Sequence, residues 1–447
     1  MSSIEFEGLR SAKSLDLARE FNRYQRAWFA EVRARAAAGD PIAVVNADAP
    51  QEIFRALDIP YVVTQWWSSV VAAKQKAAEY LGYMKALGYP DTRESYTALA
   101  FGSSLDENPD AAPWGGLPRP TILHAAGGGD AMAKLFEAWA DHTGADCYLI
   151  ERSTSWREQI APDWWAHSHD HWDDLIEPDR LELMVDELKG LIRFLEQRTG
   201  RRWSESRFRE VLRLVNEQEE LYLQTRDLIA GARPAPVSIA DTMPATMVPQ
   251  WHRGTTWGRD AALQLHDTVR ARVDAGHAAC PDEQIRLMWL GVGLWFNMGF
   301  YDYFQASHGA VFVWSIYLGL AADGYIRRFG DDDDPLRSLA ARFVNIEEEL
   351  RGPTWSSQWH LKEALSHGVD GIVVLDRLAY FDRLAFKRAE LPVLELGVSN
   401  VDPRAWDDAR IRDAVTAFLE QQVAPVAAKR RRREATAAST LDVYQAT

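Results

Sequence analysis

Thr121-Ile122-Leu123-His124, then Gly127-Gly128-Gly129-Asp130, then Ala131 to His142: a short apolar run, a glycine turn and a helical pattern follow one another directly. The run is too short for a buried helix and has the character of a strand covered on both faces. Working outward, the same rhythm repeats. Before it lie the runs Ile42-Ala43-Val44-Val45, followed by a helix that Pro50-Gln51-Glu52 opens, and Tyr61-Val62-Val63, followed by a helical stretch from Ala72 to Leu87 that Gly88 ends. After it comes Cys147-Tyr148-Leu149-Ile150. Strand and helix alternating at this spacing predict a parallel sheet with helices on both faces.

Further along the chain the pattern changes. Asp179–Glu196, stopped by Gly200, and Ser204–Leu228 predict long amphipathic helices, with Asp260–Asp274 a third and Pro234 and Pro236 in a connection. Then strands return at Ile285–Leu290, Val311–Trp314, Ile372–Leu375 and Val393–Leu396, and Ala409–Gln422 is a closing helix. The N-terminal residues Leu15–Ala38 predict a helix with Ser14 placed to cap it. The expected organisation is an N-terminal helical segment over 1–40, a first α/β domain over 41–160, a helical region over 161–280, a second α/β domain over 281–425, and a flexible basic tail over 426–447. The run Lys429–Arg433 in that tail suits a solvated helix end, where cations meet the negative pole of the dipole.

Composition excludes several classes. Of 447 residues, 47% are hydrophobic and 26% charged, an ordinary globular balance. Net charge is −15, which opposes nucleic-acid binding. The two cysteines, Cys147 and Cys280, point to a reducing cytoplasm rather than a disulfide framework. Neither a secretory h-region nor a membrane-length apolar stretch stands out. Eighteen tryptophans are the anomaly, and they predict aromatic pockets or large helix interfaces, since each buried indole N–H needs an acceptor.

The chemistry-bearing stretches are few. Gly127–Asp130 and Gly291-Val292-Gly293 stand at strand-to-helix passages, where open α/β sheets bind ligands, but neither is a P-loop or a GxGxxG. His167, His169 and His171, among tryptophans and aspartates, form a candidate metal or acid/base loop; solvated loop histidines are the plainer alternative. In Gln65-Trp66-Trp67-Ser68-Ser69 an extended chain would send one indole to the core and one to a cleft. Neither a Gly-x-Ser-x-Gly elbow nor a recognisable nucleophilic cysteine is present.

The order Pro50–Ala56, the Gly127–Asp130 turn, Val369-Asp370-Gly371-Ile372-Val373, Leu391-Pro392-Val393-Leu394-Glu395 and Val401-Asp402-Pro403-Arg404 resembles the 2-hydroxyacyl-CoA dehydratase and benzoyl-CoA reductase family over roughly residues 40–425. The closing stretch is most similar to the B-type subunit of benzoyl-CoA reductase. The resemblance implies two flavodoxin-like domains, a heterodimer of related subunits and a CoA thioester substrate. In the redox members it also implies a cysteine-held iron–sulfur cluster fed by an ATP-dependent activator. The family's cysteines fall near Glu94-Ser95-Tyr96, at the Gly127–Gly129 turn and near Ala379-Tyr380-Phe381, and none is cysteine here. A cluster needs several thiolates.

The resemblance therefore implies a subunit that holds no cluster of its own, with a [4Fe–4S] cluster left to a paralogous partner, acting on an aromatic or 2-hydroxyacyl CoA thioester. A redox-free acyl-CoA enzyme on the same scaffold and a non-catalytic structural subunit stand as alternatives. The expected substrate wall comprises Trp66, Trp67, Glu94, Gly128, Trp295 and Tyr380, with His124 or Asp130 as proton donor. Nucleic acid and membrane are not expected partners.

Overall fold

The computed structural model describes residues 11–445 other than 12, 90, 93, 109, 127, 128, 152, 154–162, 325, 326 and 352; the side chains of 345–354 and of residues beyond 434 are likewise outside the description. Two four-stranded parallel sheets organise these residues. The first contains β1 (Ala43–Val45), β2 (Tyr61–Val63), β3 (Ile122–Ala126) and β4 (Asp146–Ile150) in the order β2-β1-β3-β4. The second contains β5 (Ile285–Leu290), β6 (Ala310–Ser315), β7 (Gly371–Val374) and β8 (Val393–Glu395) in the order β6-β5-β7-β8. Both orders are the flavodoxin-like one, so each sheet reverses direction once, between its first and third strands.

The central strands are buried at every position while the edge strands β4 and β8 are mostly half-exposed. That is why the central strands read as unbroken apolar runs: helices cover both faces. Between the sheets lies the expected helical layer. Pro178–Thr199 starts with proline in its first turn, buries Leu181, Met184, Val185, Leu188, Leu191, Ile192 and Leu195 at helical spacing, and stops at Gly200 in a left-handed conformation. Glu205–Gly231 bridges the halves, packing on the helix Gln51–Ala56 of the first and on Ile316–Asp323 of the second.

The bridge is reinforced by buried charge. Glu52, in the helix Gln51–Ala56 that follows β1, accepts from Arg253 Nε at 2.6 Å and from Arg342 of the second half. Burial alone would raise the Glu52 carboxyl, but the two guanidinium groups hold it at about 2.

Several expectations are corrected. The stretch 72–87 is not one helix: Thr64–Ala73 and Ala77–Ala86 are separate, broken at Gln75 with φ 61°. Trp66 and Trp67 thus lie on a helix, not on extended chain. Ser14 caps nothing: its backbone N–H donates to Asp241 Oδ1 at 2.8 Å, and the first helix runs Leu17–Ala37. Pro50 stands just before its helix instead of in the first turn. The histidine stretch is not a plain loop, since it sits between the single-turn helices Trp164–His167 and Trp172–Leu175. The closing helix passes through a π turn at Leu419–Val423 into a further helix, Ala424–Gln445, where a flexible tail is expected. Arg430 there grips Asp370 with two hydrogen bonds of 2.8 and 3.0 Å, a charged pair that a solvated tail would not make.

Candidate functional site

A cavity of about 830 Å³ opens where the two halves meet the N-terminal helix. Its size is that of a small-molecule site. From the first half it takes Trp66, Ser69 and Val70, on the helix that leaves the carboxyl end of β2; from the second it takes Trp295, Phe296 and Met298, in the loop that leaves β5. The carboxyl sides of both sheets therefore contribute, as ligand sites of open α/β sheets do.

Local sequence explains why these side chains converge. After β5 the chain turns at Gly291 with φ 124°, a conformation that favours glycine, and a Cβ there would stand 2.8 Å from Leu375 Cβ. The next residues are pinned by two tyrosines: the Gly293 N–H donates to the Tyr317 hydroxyl at 2.7 Å and the Leu294 N–H to the Tyr301 hydroxyl at 2.9 Å. Trp295 follows, its backbone N–H bonded to Asn400 O at 3.0 Å. On the opposite wall the Trp66 indole N–H donates to Gln25 Oε1 of the N-terminal helix at 2.9 Å. Trp66 meets Trp28 edge-on at 5.1 Å and Trp114 at 5.7 Å between centroids. The halves are tied at the cavity by Gln75 to Phe296 O (3.1 Å), and elsewhere by Arg404 to Asp91 (2.8 Å).

The lining is both apolar and charged. It includes Trp66, Trp114, Trp295 and Tyr96 together with Lys13, Arg19, Arg26 and Lys74, with Asp16 among them. Arg26 also stacks over the Trp114 ring at 4.8 Å. Tyr96 is half-buried, and its hydroxyl sits with the Tyr317 hydroxyl and the Trp295 indole; burial, then the neighbouring tyrosine, hold its pKa well above the ordinary range, so the group is a neutral O–H.

Of the residues expected from sequence, Trp66 and Trp295 line this cavity and are brought together; the others are not. Trp67 is fully buried, stacked on Phe29 at 5.0 Å with its indole bonded to Ser103. His124 is buried inside the sheet, with Nδ1 2.8 Å from Tyr148 O and its ring against Phe54, which makes it a core histidine rather than a group facing the cleft. Asp130 is exposed at the start of its helix, and Glu94 is exposed with φ 49° before the helix Ser95–Ser103. Tyr380 is 71% exposed and leans on Phe381. Gly128 lies outside the described residues.

Among the histidines, His167 and His171 are exposed, while His169 is buried and burial followed by Arg327 pushes it down to about 4. Among the described residues no three His, Cys, Asp or Glu side chains are grouped to hold a metal ion. Sequence reasoning missed Tyr96, Trp114 and the cations. The one signal available was that the N-terminal helix carries Arg19 and Arg26 on the same side as Asn22.

Two parallel sheets of this order, with a cleft lined from both carboxyl ends, define an α/β protein of two flavodoxin-like halves. The family model of the 2-hydroxyglutaryl-CoA dehydratase D-component matches residues 46–421, and the chain belongs to that family. The alpha subunit of (R)-phenyllactyl-CoA dehydratase from Clostridium sporogenes is 21% identical over 402 residues, covering 86% of this chain and 90% of the relative. The alpha subunit of (R)-2-hydroxyisocaproyl-CoA dehydratase from Clostridioides difficile is 19% identical over 396 residues, covering 86% and 90%. The chain is accordingly a subunit of an enzyme of the 2-hydroxyacyl-CoA dehydratase type. No helix among the described residues is long and apolar enough to cross a membrane.

Proposed function

We propose that this subunit binds a CoA thioester with a 2-hydroxyacyl or aromatic acyl group in the cavity between its two sheets. The observation that carries the reading is a cavity whose lining combines the tryptophans Trp66, Trp114 and Trp295 with the cations Lys13, Arg19, Arg26 and Lys74. An apolar acyl group gains from burial against Trp66, Trp114 and Trp295, while Lys13, Arg19, Arg26 and Lys74 meet the phosphates of the CoA moiety.

The iron–sulfur cluster implied by the family does not fit the donors at hand. Cys147 lies on β4, where burial first and nearby carboxylates second push its thiol up to about 11, and buried Cys280 turns its Sγ to Gln305 O at 3.7 Å. Neither lines the cavity, and the positions equivalent to the family's cysteines carry other residues. In this reading the chain shapes the pocket and orients the thioester. A related partner subunit holds the cluster and receives electrons from an ATP-dependent activator.

The test is titration of the purified full chain with phenyllactyl-CoA and with free CoA, followed by tryptophan fluorescence. Saturable binding of the thioester that Trp66→Ala weakens by about 1–3 kcal/mol supports the reading. Absence of thioester binding, by the chain alone and by the chain with its co-purifying partner, contradicts it.

A further inference from the structure

One face of the second half leaves large apolar side chains in solvent. The helices Pro353–Ser366 and Tyr380–Arg388 pack side by side, and His360 Nδ1 of the first lies 2.9 Å from Asp382 Oδ1 of the second, both residues buried. Between the two helices runs a groove of about 440 Å³, lined on its apolar side by Leu361, Phe381, Leu384, Ala385 and Ala389. Leu365, one turn beyond Leu361, is 60% exposed, and Phe381 is 42% exposed with the Tyr380 ring edge-on to it at 5.4 Å. Leu361 and Leu365 share one helix face, and Phe381, Leu384, Ala385 and Arg388 share another, by their three- and four-residue spacing. Two apolar stripes along a groove are the shape that receives a helix. The exposed leucines elsewhere, Leu87, Leu183 and Leu263, stand on separate elements, so none of them belongs to this face.

The lip of the groove is cationic. Arg388 lines it, and Lys387 lines a shallower depression on the other flank of the same helix. Both are exposed, and among the described residues neither meets a carboxylate at ion-pair distance, whereas the nearby Arg383 and Lys429 pair with Glu395 and Glu390. In a chain of net charge −15, two unneutralised cations beside an apolar groove select an acidic neighbour. We infer that this groove docks an amphipathic helix of a second protein, one with an apolar stripe at three- and four-residue spacing and a carboxylate beside the stripe to meet Arg388 and Lys387. A second copy of this chain is the poorer occupant, because a two-fold contact through this face sets Lys387 and Arg388 toward their own copies. The Tyr380–Arg388 helix follows β7, on the carboxyl side of the second sheet, so exposed Tyr380 meets a protein there rather than a substrate. The inference goes beyond the acyl-CoA reading and stands even if the cavity binds nothing.

The experiment treats the full-length chain, isolated from its source together with the proteins that co-purify, with a carbodiimide that joins an amine to a carboxylate with no spacer, and maps the linked peptides. The expected product is an amide between Lys387 and an Asp or Glu of a second protein, in a segment with the apolar spacing described. That segment, made as a synthetic peptide, should bind the isolated chain, and Leu384→Asp or Arg388→Glu should each weaken it by about tenfold, as expected for the loss of one anchor of an interface. Arg388 is exposed, so its variant keeps the test open should Leu384→Asp unfold. Thioester binding in the cavity should be the same in both variants. Lys387 joined only to Glu390 of its own chain or to a second copy, Lys387 left unlinked, or a peptide whose affinity neither variant changes, overturns the inference and leaves the acyl-CoA reading untouched.

Discussion

Trp66 and Trp67 are neighbours in sequence and opposites in role. The first lines the cavity and holds Gln25; the second is sealed between Phe29 and Ser103. One helical step of roughly 100° separates them, enough to turn one ring to the cleft and the other to the core. Trp67→Ala should therefore cost about 3–5 kcal/mol of stability by leaving a cavity, while ligand affinity per folded molecule stays near wild type. Trp66→Ala should weaken thioester binding per folded molecule as well as lower stability, because Trp66 is itself buried against Trp28, Phe29 and Trp114. The adjacent pair was visible in the sequence, but not which member faces the ligand, because that depends on the chain being helical from Thr64. His124 was misread for a related reason. A histidine near a strand end looks the same in sequence whether its ring points out of the sheet or, as here, bonds the neighbouring strand's carbonyl.

The strands were the most legible elements. β2 and β5 begin and end where their apolar runs do, and the long helices of the middle layer differ from expectation by a few residues at their ends. The helix Ile239–Gln250 was not legible, because Pro244 and Pro249 sit inside it. Each proline removes a backbone donor and opposes helix continuation, and only burial of Ile239, Met243 and Met247 among neighbouring elements keeps the segment helical. The glycine turn after β5 was recognised, but not what makes it necessary. Gly291→Ala should destabilise the protein by about 1–3 kcal/mol, from an unfavourable φ and the clash with Leu375. A lower urea midpoint with an unchanged slope would bear this out; no shift would mean that the loop adopts another path.

At the scale of the whole molecule, stability is tied to buried charge. Glu52→Gln removes the anion facing Arg253 and Arg342 and should cost about 3–5 kcal/mol, since two desolvated cations lose their partner. The histidines set the acid limit. His169 and His367 are pushed down to about 4, chiefly by burial, and His252 is pushed well below its usual value by burial and then Arg55. They are neutral when folded and take up protons near pH 6.5 when unfolded, so their contribution is complete above about pH 6.5 and is lost as pH falls toward 4. The melting temperature should drop across that interval, and a flat profile would show that the rings are not buried as described.

The cysteine argument also belongs to this scale, since it concerns the whole chain's donor set. The isolated chain, purified without oxygen, should be colourless, and stoichiometric iron and sulfide would refute the proposed absence of a cluster. The central claim, that a CoA thioester occupies the cavity between the sheets, is tested most directly by photo-crosslinking the full-length chain with an acyl-CoA that carries a diazirine on its acyl chain, then mapping the labelled peptides. The account predicts label on the peptides containing Trp66, Tyr96 and Trp295, competed away by unlabelled thioester. Competed label confined to the His167–His171 segment or to the surface around Tyr380 would contradict it.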